Sequence, residues 1–217
     1  RVEAYDSDSQ NPFERNRNLS FESNIWEGSL LFEFNFLPYT HGSRDHFFTP
    51  YLFGGLTLFN FNPQAVYDGP NIPEENVSTG QLVDLRPLGT EGQFKGEEYY
   101  TTTAAITYGF GFKFDLSYEW SINIHVGARD TYTDYLDDVS TVYTDPTDLR
   151  RTREQGQLAA YMSNRSLNLG TDATALGRVG QQRGDDNTDD FYLFAGVGVM
   201  YYFGDVRCPN YGKGSRR

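Results

Sequence analysis

The sequence predicts an all-β fold, an antiparallel transmembrane β-barrel, and three observations carry that expectation. Five segments read with a period of two, three of them with a clear division between an apolar and a polar or small face. Each is longer than the roughly 5–6 residues usual for a soluble strand and reaches the roughly 9–11 that a tilted strand needs to cross a bilayer. The connections between them alternate short and long, as they do in outer-membrane barrels.

In chain order, the clearest segment is Asn24–Leu37. Here Trp26, Gly28, Leu30, Phe32, Phe34 and Phe36 fall on one face, and Glu27, Ser29, Leu31, Glu33 and Asn35 on the other. A helix would scatter both groups around its axis. Phe47–Asn60 sets Leu52, Leu56 and Leu58 against Tyr51, Phe53 and Thr57, and its facing is ambiguous because both sides are largely apolar. Tyr99–Phe114 places Ile106, Tyr108, Phe110 and Phe112 opposite Thr103, Ala105, Thr107, Gly109, Gly111 and Lys113. The small second face suits a crowded interior. Glu119–Arg129 divides Trp120, Ile122, Ile124 and Val126 from Ser121, Asn123, His125 and Arg129. Phe191–Phe203 sets Leu193, Val197, Val199 and Tyr201 against Tyr192, Phe194, Gly196 and Gly198, again with an uncertain register. Aromatic residues gather toward several strand ends, where an interfacial girdle would sit. A soluble sandwich or lipocalin-like barrel is the competing architecture, since antiparallel sheets in water also alternate.

Thr40–His46 and Asp115–Tyr118 are short links; Asp6–Ser23, Phe61–Glu98 and Thr131–Asp190 are long, polar loops. Barrels keep short turns in the periplasm, so the final strand descends to that side and Asn24–Leu37 does too. Arg1–Tyr5 is then the top of an ascending strand. Five strands and a stub do not close a barrel of about eight strands, so the full protein is expected to carry earlier strands and a secretory signal before Arg1. Residues 1–204 form the barrel with its loops, and residues 205–217 a periplasmic tail. Within the longest loop, Asp145-Pro146 followed by Thr147–Ser163 reads as a helix start, with Gly156 as a weak point.

Composition narrows the function. The 217 residues carry 18 basic and 30 acidic side chains, a net charge of −12, which argues against nucleic-acid binding. The single cysteine, Cys208, excludes an intrachain disulfide framework, and three scattered histidines make a histidine-rich metal site improbable. A mean hydropathy of −0.60, without any apolar run near 18 residues, excludes a helical membrane protein but not a barrel.

The motifs Arg17-Asn18-Leu19-Ser20-Phe21, Glu33-Phe34-Asn35-Phe36-Leu37-Pro38 and Phe47-Phe48-Thr49-Pro50-Tyr51 with Gly54-Gly55 resemble those of the PorG-like outer-membrane barrels of the type IX secretion system. So do Leu85-Arg86-Pro87-Leu88-Gly89-Thr90-Glu91-Gly92-Gln93, Gly109-Phe110-Gly111-Phe112-Lys113-Phe114, Thr133-Asp134-Tyr135-Leu136-Asp137-Asp138-Val139-Ser140 and Gln182-Arg183-Gly184. The resemblance covers nearly the whole chain. It implies a non-enzymatic component of protein export and gliding motility, associated at the periplasmic face with a ring of PorK-like lipoprotein and PorN-like subunits. It carries over no catalytic residues and no cofactor.

Candidate sites are few. Asp134, Asp137 and Asp138, and the run Asp185, Asp186, Asp189, Asp190, offer oxygen ligands for calcium without EF-hand spacing, so loop architecture or solvation is the expected role. Glu27, Glu33, Lys113, His125 and Arg129 lie on polar faces and are expected inside the barrel, as ion pairs that fill it. No Ser/His/Asp set singles out an outer-membrane hydrolase. The tail holds Arg207, Lys213, Arg216 and Arg217 with no acid after Asp205, besides Cys208 and Tyr211. A lone cysteine in an oxidising compartment points to an intermolecular disulfide or a reactive thiol. These residues are the expected partner contacts. The alternative function is a small diffusion channel or a surface-binding barrel acting through acidic outer loops.

Overall fold

The computed structural model describes residues 1–167 and 176–203. Among these residues are nine strands: β1 (Val2–Tyr5), β2 (Ser20–Ser23), β3 (Trp26–Asn35), β4 (Phe48–Asn60), β5 (Pro63–Val66), β6 (Leu82–Asp84), β7 (Thr102–Asp115), β8 (Trp120–Thr131) and β9 (Phe191–Tyr201). Three short α-helices accompany them: α1 (Pro12–Arg17), α2 (Pro146–Thr152) and α3 (Gly156–Ser163). The strands form two antiparallel sheets, one ordered β1-β2-β5-β6 and one ordered β3-β4-β7-β8-β9. No helix among the described residues is long and apolar enough to cross a membrane. The five strands expected from alternation are the five of the larger sheet.

By contact density the chain divides into two compact units. Among the described residues, the first holds those within 1–31, 55–107 and 128–192, and the second those within 32–54, 108–127 and 193–203.

In the first unit, the long connections are not open loops. β1 pairs with β2 from Val2↔Ser23 to Tyr5↔Ser20, β2 with β5 at Glu22↔Gln64, and β5 with β6 from Gln64↔Asp84 to Val66↔Leu82. β1 thus joins the smaller sheet, where the sequence placed a fragment of a long wall strand. Tyr67, Ile72, Val83, Leu85 and Leu88 from residues 61–98 pack with Leu149, Leu158, Ala159 and Met162 from residues 131–190 as one buried core. Burying that apolar surface is what allows loops of this length to hold a fixed structure.

The single helix expected after Asp145 is two. Asp145 caps α2 by accepting from Thr147 N–H at 2.7 Å, with Pro146 in the first turn. α2 ends at Thr152, and Gly156 opens α3 against the backbone of Arg150, where an added Cβ would lie 2.6 Å from the carbonyl oxygen. Glu75, from a different loop, accepts from the α3 amides of Gln157 at 2.7 Å and Leu158 at 2.9 Å. A carboxylate at that position satisfies the free N–H groups and the positive end of the helix.

In the second unit, the middle of the larger sheet packs aromatic rings over glycine. A Cβ on Gly109 would lie 2.4 Å from the Phe53 ring, and one on Gly111 2.6 Å from the Tyr51 ring. That fit fixes the register of β4, which alternation alone left open: Tyr51 and Phe53 are buried, while Leu52 is exposed. In β9, Phe194 lies against Gly127 and Phe53, while Leu193 and Val197 point away.

Candidate functional site

The larger sheet has two chemically opposite faces, and each unit shows the same division. In the first unit, Trp26, Leu30, Leu56, Leu58 and Phe191 are exposed, Trp26 at 79% and Leu58 at 66%. In the second, Phe32 at 77%, Phe34, Leu52, Phe110, Ile124, Leu193 and Val197 are exposed as well. A soluble monomer rarely exposes a contiguous apolar patch above a few hundred Å². Strand alternation puts all of these side chains on one side of the sheet.

The opposite face is polar, and its side chains reach across neighbouring strands. In the first unit, Arg129 of β8 donates to Glu27 of β3, and Tyr192 of β9 donates its hydroxyl to the other Glu27 oxygen at 3.2 Å. Strands lie about 4.8 Å apart, so β3 and β9 would stand roughly 19 Å apart in a flat sheet, beyond the reach of a tyrosine and a glutamate together. The sheet in this unit is therefore curled with its polar face inward. Ser29, Thr57 and Thr107, on the adjacent β3, β4 and β7, form a hydroxyl row with oxygen separations of 2.8 and 2.6 Å.

The second unit repeats the arrangement. Lys113 of β7 pairs with Glu33 of β3 and stands 4.7 Å over the Tyr51 ring of β4, whose hydroxyl donates to Asn123 of β8 at 2.7 Å. His125 packs edge-on against Phe53 and lies beside Phe194. Of the five charged or titratable residues placed on this face from sequence, four form the two ion pairs and the fifth sits among rings.

At the short connections, also within the second unit, Asp115 organises the turns. Its carboxylate accepts from the Tyr39 hydroxyl at 2.6 Å and the Gly42 amide at 2.8 Å, and pairs with His41 Nδ1 at 3.0 Å. Burial, reinforced by the Asp115 hydrogen bond, raises the Tyr39 phenol above its ordinary range. The other His41 nitrogen lies 3.0 Å from the Tyr118 carbonyl, and the ring stacks on Tyr202 at 3.5 Å between centroids. The start of the C-terminal segment is thereby tied to both short turns. Arg207, Cys208, Tyr211, Lys213, Arg216 and Arg217 lie outside the described residues.

At the long connections, in the first unit, a buried ion pair does the equivalent job. Arg183, 2% exposed, pairs with Glu91 at 2.9 Å and donates to the Asp138 carbonyl at 2.7 Å and the Ser163 carbonyl at 3.2 Å. Glu91 accepts from the Ser140 and Thr141 amides and the Thr141 hydroxyl. Sequence reasoning did not single out this pair. Its only trace was that both residues fall inside the motifs quoted above.

The first aspartate cluster serves the same layer. Asp138 is buried and accepts from Thr90 at 2.6 Å and Tyr99 at 2.7 Å; burial lifts it to about 6 against the pull of Arg183. Burial also raises Asp134 to about 7, against a Ser140 hydrogen bond, with Asp190 and Glu91 adding to the rise. Asp137, half-buried, is raised well above the carboxylate range by desolvation, with the charge of Asp190 adding to the rise. In the second run, Asp190 accepts from the Leu136 amide, while Asp185 accepts within its own turn from Asn187 and Thr188. No group of three His, Cys, Asp or Glu among the described residues is arranged to hold a metal ion.

Comparison with known proteins finds one family: a model described as DUF6089, a domain of unknown function, matches residues 1–83. That stretch runs from β1 into β6 and includes β3 and β4, the first two strands of the larger sheet. No curated protein and no solved structure matches the chain.

Proposed function

We propose that this protein is a wall segment of an outer-membrane β-barrel, of the PorG-like kind that its motifs resemble, and that it works as an anchor rather than an enzyme. The observation that carries the reading is the exposed apolar face of the larger sheet opposite a face of matched charges and hydroxyls. Hydrocarbon is the solvent that fits such a face. Among the described residues β3 and β9 each have one neighbour in the sheet, and a bilayer tolerates no unpaired edge, so in this reading both edges are paired in the membrane. Closure at about eight strands gives a lumen narrow enough for side chains to fill. The paired charges and the rings over Gly109 and Gly111 support a filled interior, and so favour an anchor over a diffusion channel.

In this reading the short turns organised by Asp115 face the periplasm, the long connections face outward, and the basic tail with Cys208 meets a periplasmic ring of PorK-like lipoprotein and PorN-like subunits. Deleting residues 207–217 tests it. The account expects an assembled barrel that no longer co-purifies with the ring, and no steady conductance in liposomes. Undisturbed ring association after the deletion, or a constant open pore, would overturn the anchor reading.

A further inference from the structure

Within the first unit, between residues 67–72 and the helices α2 and α3, lies a cavity of about 430 Å³. That volume falls within the range of roughly 300–1,000 Å³ typical of ligand sites. Three of its lining residues, Tyr67, Ile72 and Ala160, are buried and give it an apolar base. Tyr67 spends its hydroxyl on the Pro70 carbonyl at 2.6 Å, and Tyr161, set edge-on to it, spends its own on Asp68 at 3.0 Å. Both tyrosines are thus held in place before any ligand arrives, which lowers the entropy cost of binding.

The exposed lining is different in kind. Asn71 accepts through its side-chain oxygen from Thr79, which leaves its amide N–H₂ without a partner among the described residues. The Gln157 side-chain amide and the Arg150 guanidinium have no partner there either. Among the described residues, Arg150 is the one charged residue lining the cavity, in a chain with 30 acidic side chains and a net charge of −12. Free neutral amides beside an aromatic wall suit a sugar ring, whose C–H face packs on the ring while neighbouring hydroxyls exchange hydrogen bonds with the amides. An unpaired guanidinium in the same lining selects a carboxylate, which it can grip through two parallel bonds.

We infer that this cavity is a binding site for an acidic saccharide of the uronic-acid class, with its carboxylate on Arg150 and its hydroxyls on Asn71 and Gln157. The inference stands on the lining alone and does not depend on the membrane reading. A free phosphate is the competing source of negative charge; it can accept from the same amides but has no apolar face to set on the ring.

The test is titration of the purified full protein with sodium glucuronate, glucose and inorganic phosphate, followed by saturation-transfer NMR or calorimetry. The expected result is saturable glucuronate binding tighter than glucose binding, with Arg150→Gln weakening glucuronate by about 10–100-fold, the loss of a charge-assisted pair. Gln157→Ala is expected to weaken both sugars. Absence of saturable glucuronate binding, equal affinity in Arg150→Gln, or phosphate displacing glucuronate with equal affinity would each overturn the assignment.

Discussion

Arg129 on β8 pairs with Glu27 on β3, with the two strands β4 and β7 between them. Arg129 is 5% exposed, so the pair is screened from water more than a surface bridge. Glu27→Ala leaves the guanidinium buried without its carboxylate. The expected cost is about 2–3 kcal/mol, below the roughly 3–5 for a fully buried pair because Glu27 itself is a third exposed. Replacing both residues with apolar ones of similar size restores most of the loss. Urea unfolding in lipid or detergent measures both values, and additivity of the two single changes would contradict the pairing.

Leu56→Arg separates the two solvents that an exposed leucine can face. Leu56 is 61% exposed on the apolar side of β4. In a bilayer an arginine there costs about 2–4 kcal/mol near the midplane. On a water-facing sheet the same change stays within about 0.5 kcal/mol. Comparing the unfolding midpoints of the variant and the parent in vesicles decides between them.

The long strands were legible because a period of two survives in the sequence whatever lies between the strands. The inward ion pairs were legible for the same reason, since parity put Glu27, Glu33, Lys113 and Arg129 on one side. Register in β4 and β9 was not, because Tyr51, Phe53, Tyr192 and Phe194 are as apolar as the leucines they oppose. What decides it is the space over Gly109, Gly111 and Gly127, which belongs to neighbouring strands. The smaller sheet was invisible because its strands are three or four residues long. The cap on α3 was hidden because Glu75 supplies it from 82 residues upstream of Gln157.

Arg183→Met tests the buried pair at the long connections. Glu91 is then left without its cation in a site where its side chain is 1% exposed, at a cost of about 3–5 kcal/mol to that layer. Limited proteolysis is expected to cut within residues 131–190 several-fold faster while the larger sheet persists. An unchanged cleavage pattern would show that Arg183 and Glu91 are not what holds the loops.

Acid is expected to tighten this same layer. Asp134 and Asp138 sit at about 7 and about 6 in the fold, above their unfolded range near 4. A carboxyl raised by folding binds its proton more tightly in the folded state. Its stabilising contribution is complete below about pH 4 and is lost as pH rises through 6 to 7. Proteolysis of the loops is therefore expected to be slower at pH 5 than at pH 8, once corrected for the protease's own pH dependence. The opposite order would place these carboxyls in their ordinary range.

The central claim is that the apolar face meets hydrocarbon, and the two tryptophans report on it directly. Trp26 and Trp120 are the only tryptophans, both lie on that face, and they sit at opposite ends of their strands' run between short and long connections. With the protein reconstituted in vesicles, lipids brominated near the top of their acyl chains are expected to quench both fluorophores, while aqueous iodide quenches neither strongly. Efficient iodide quenching with no response to brominated lipid would contradict the account.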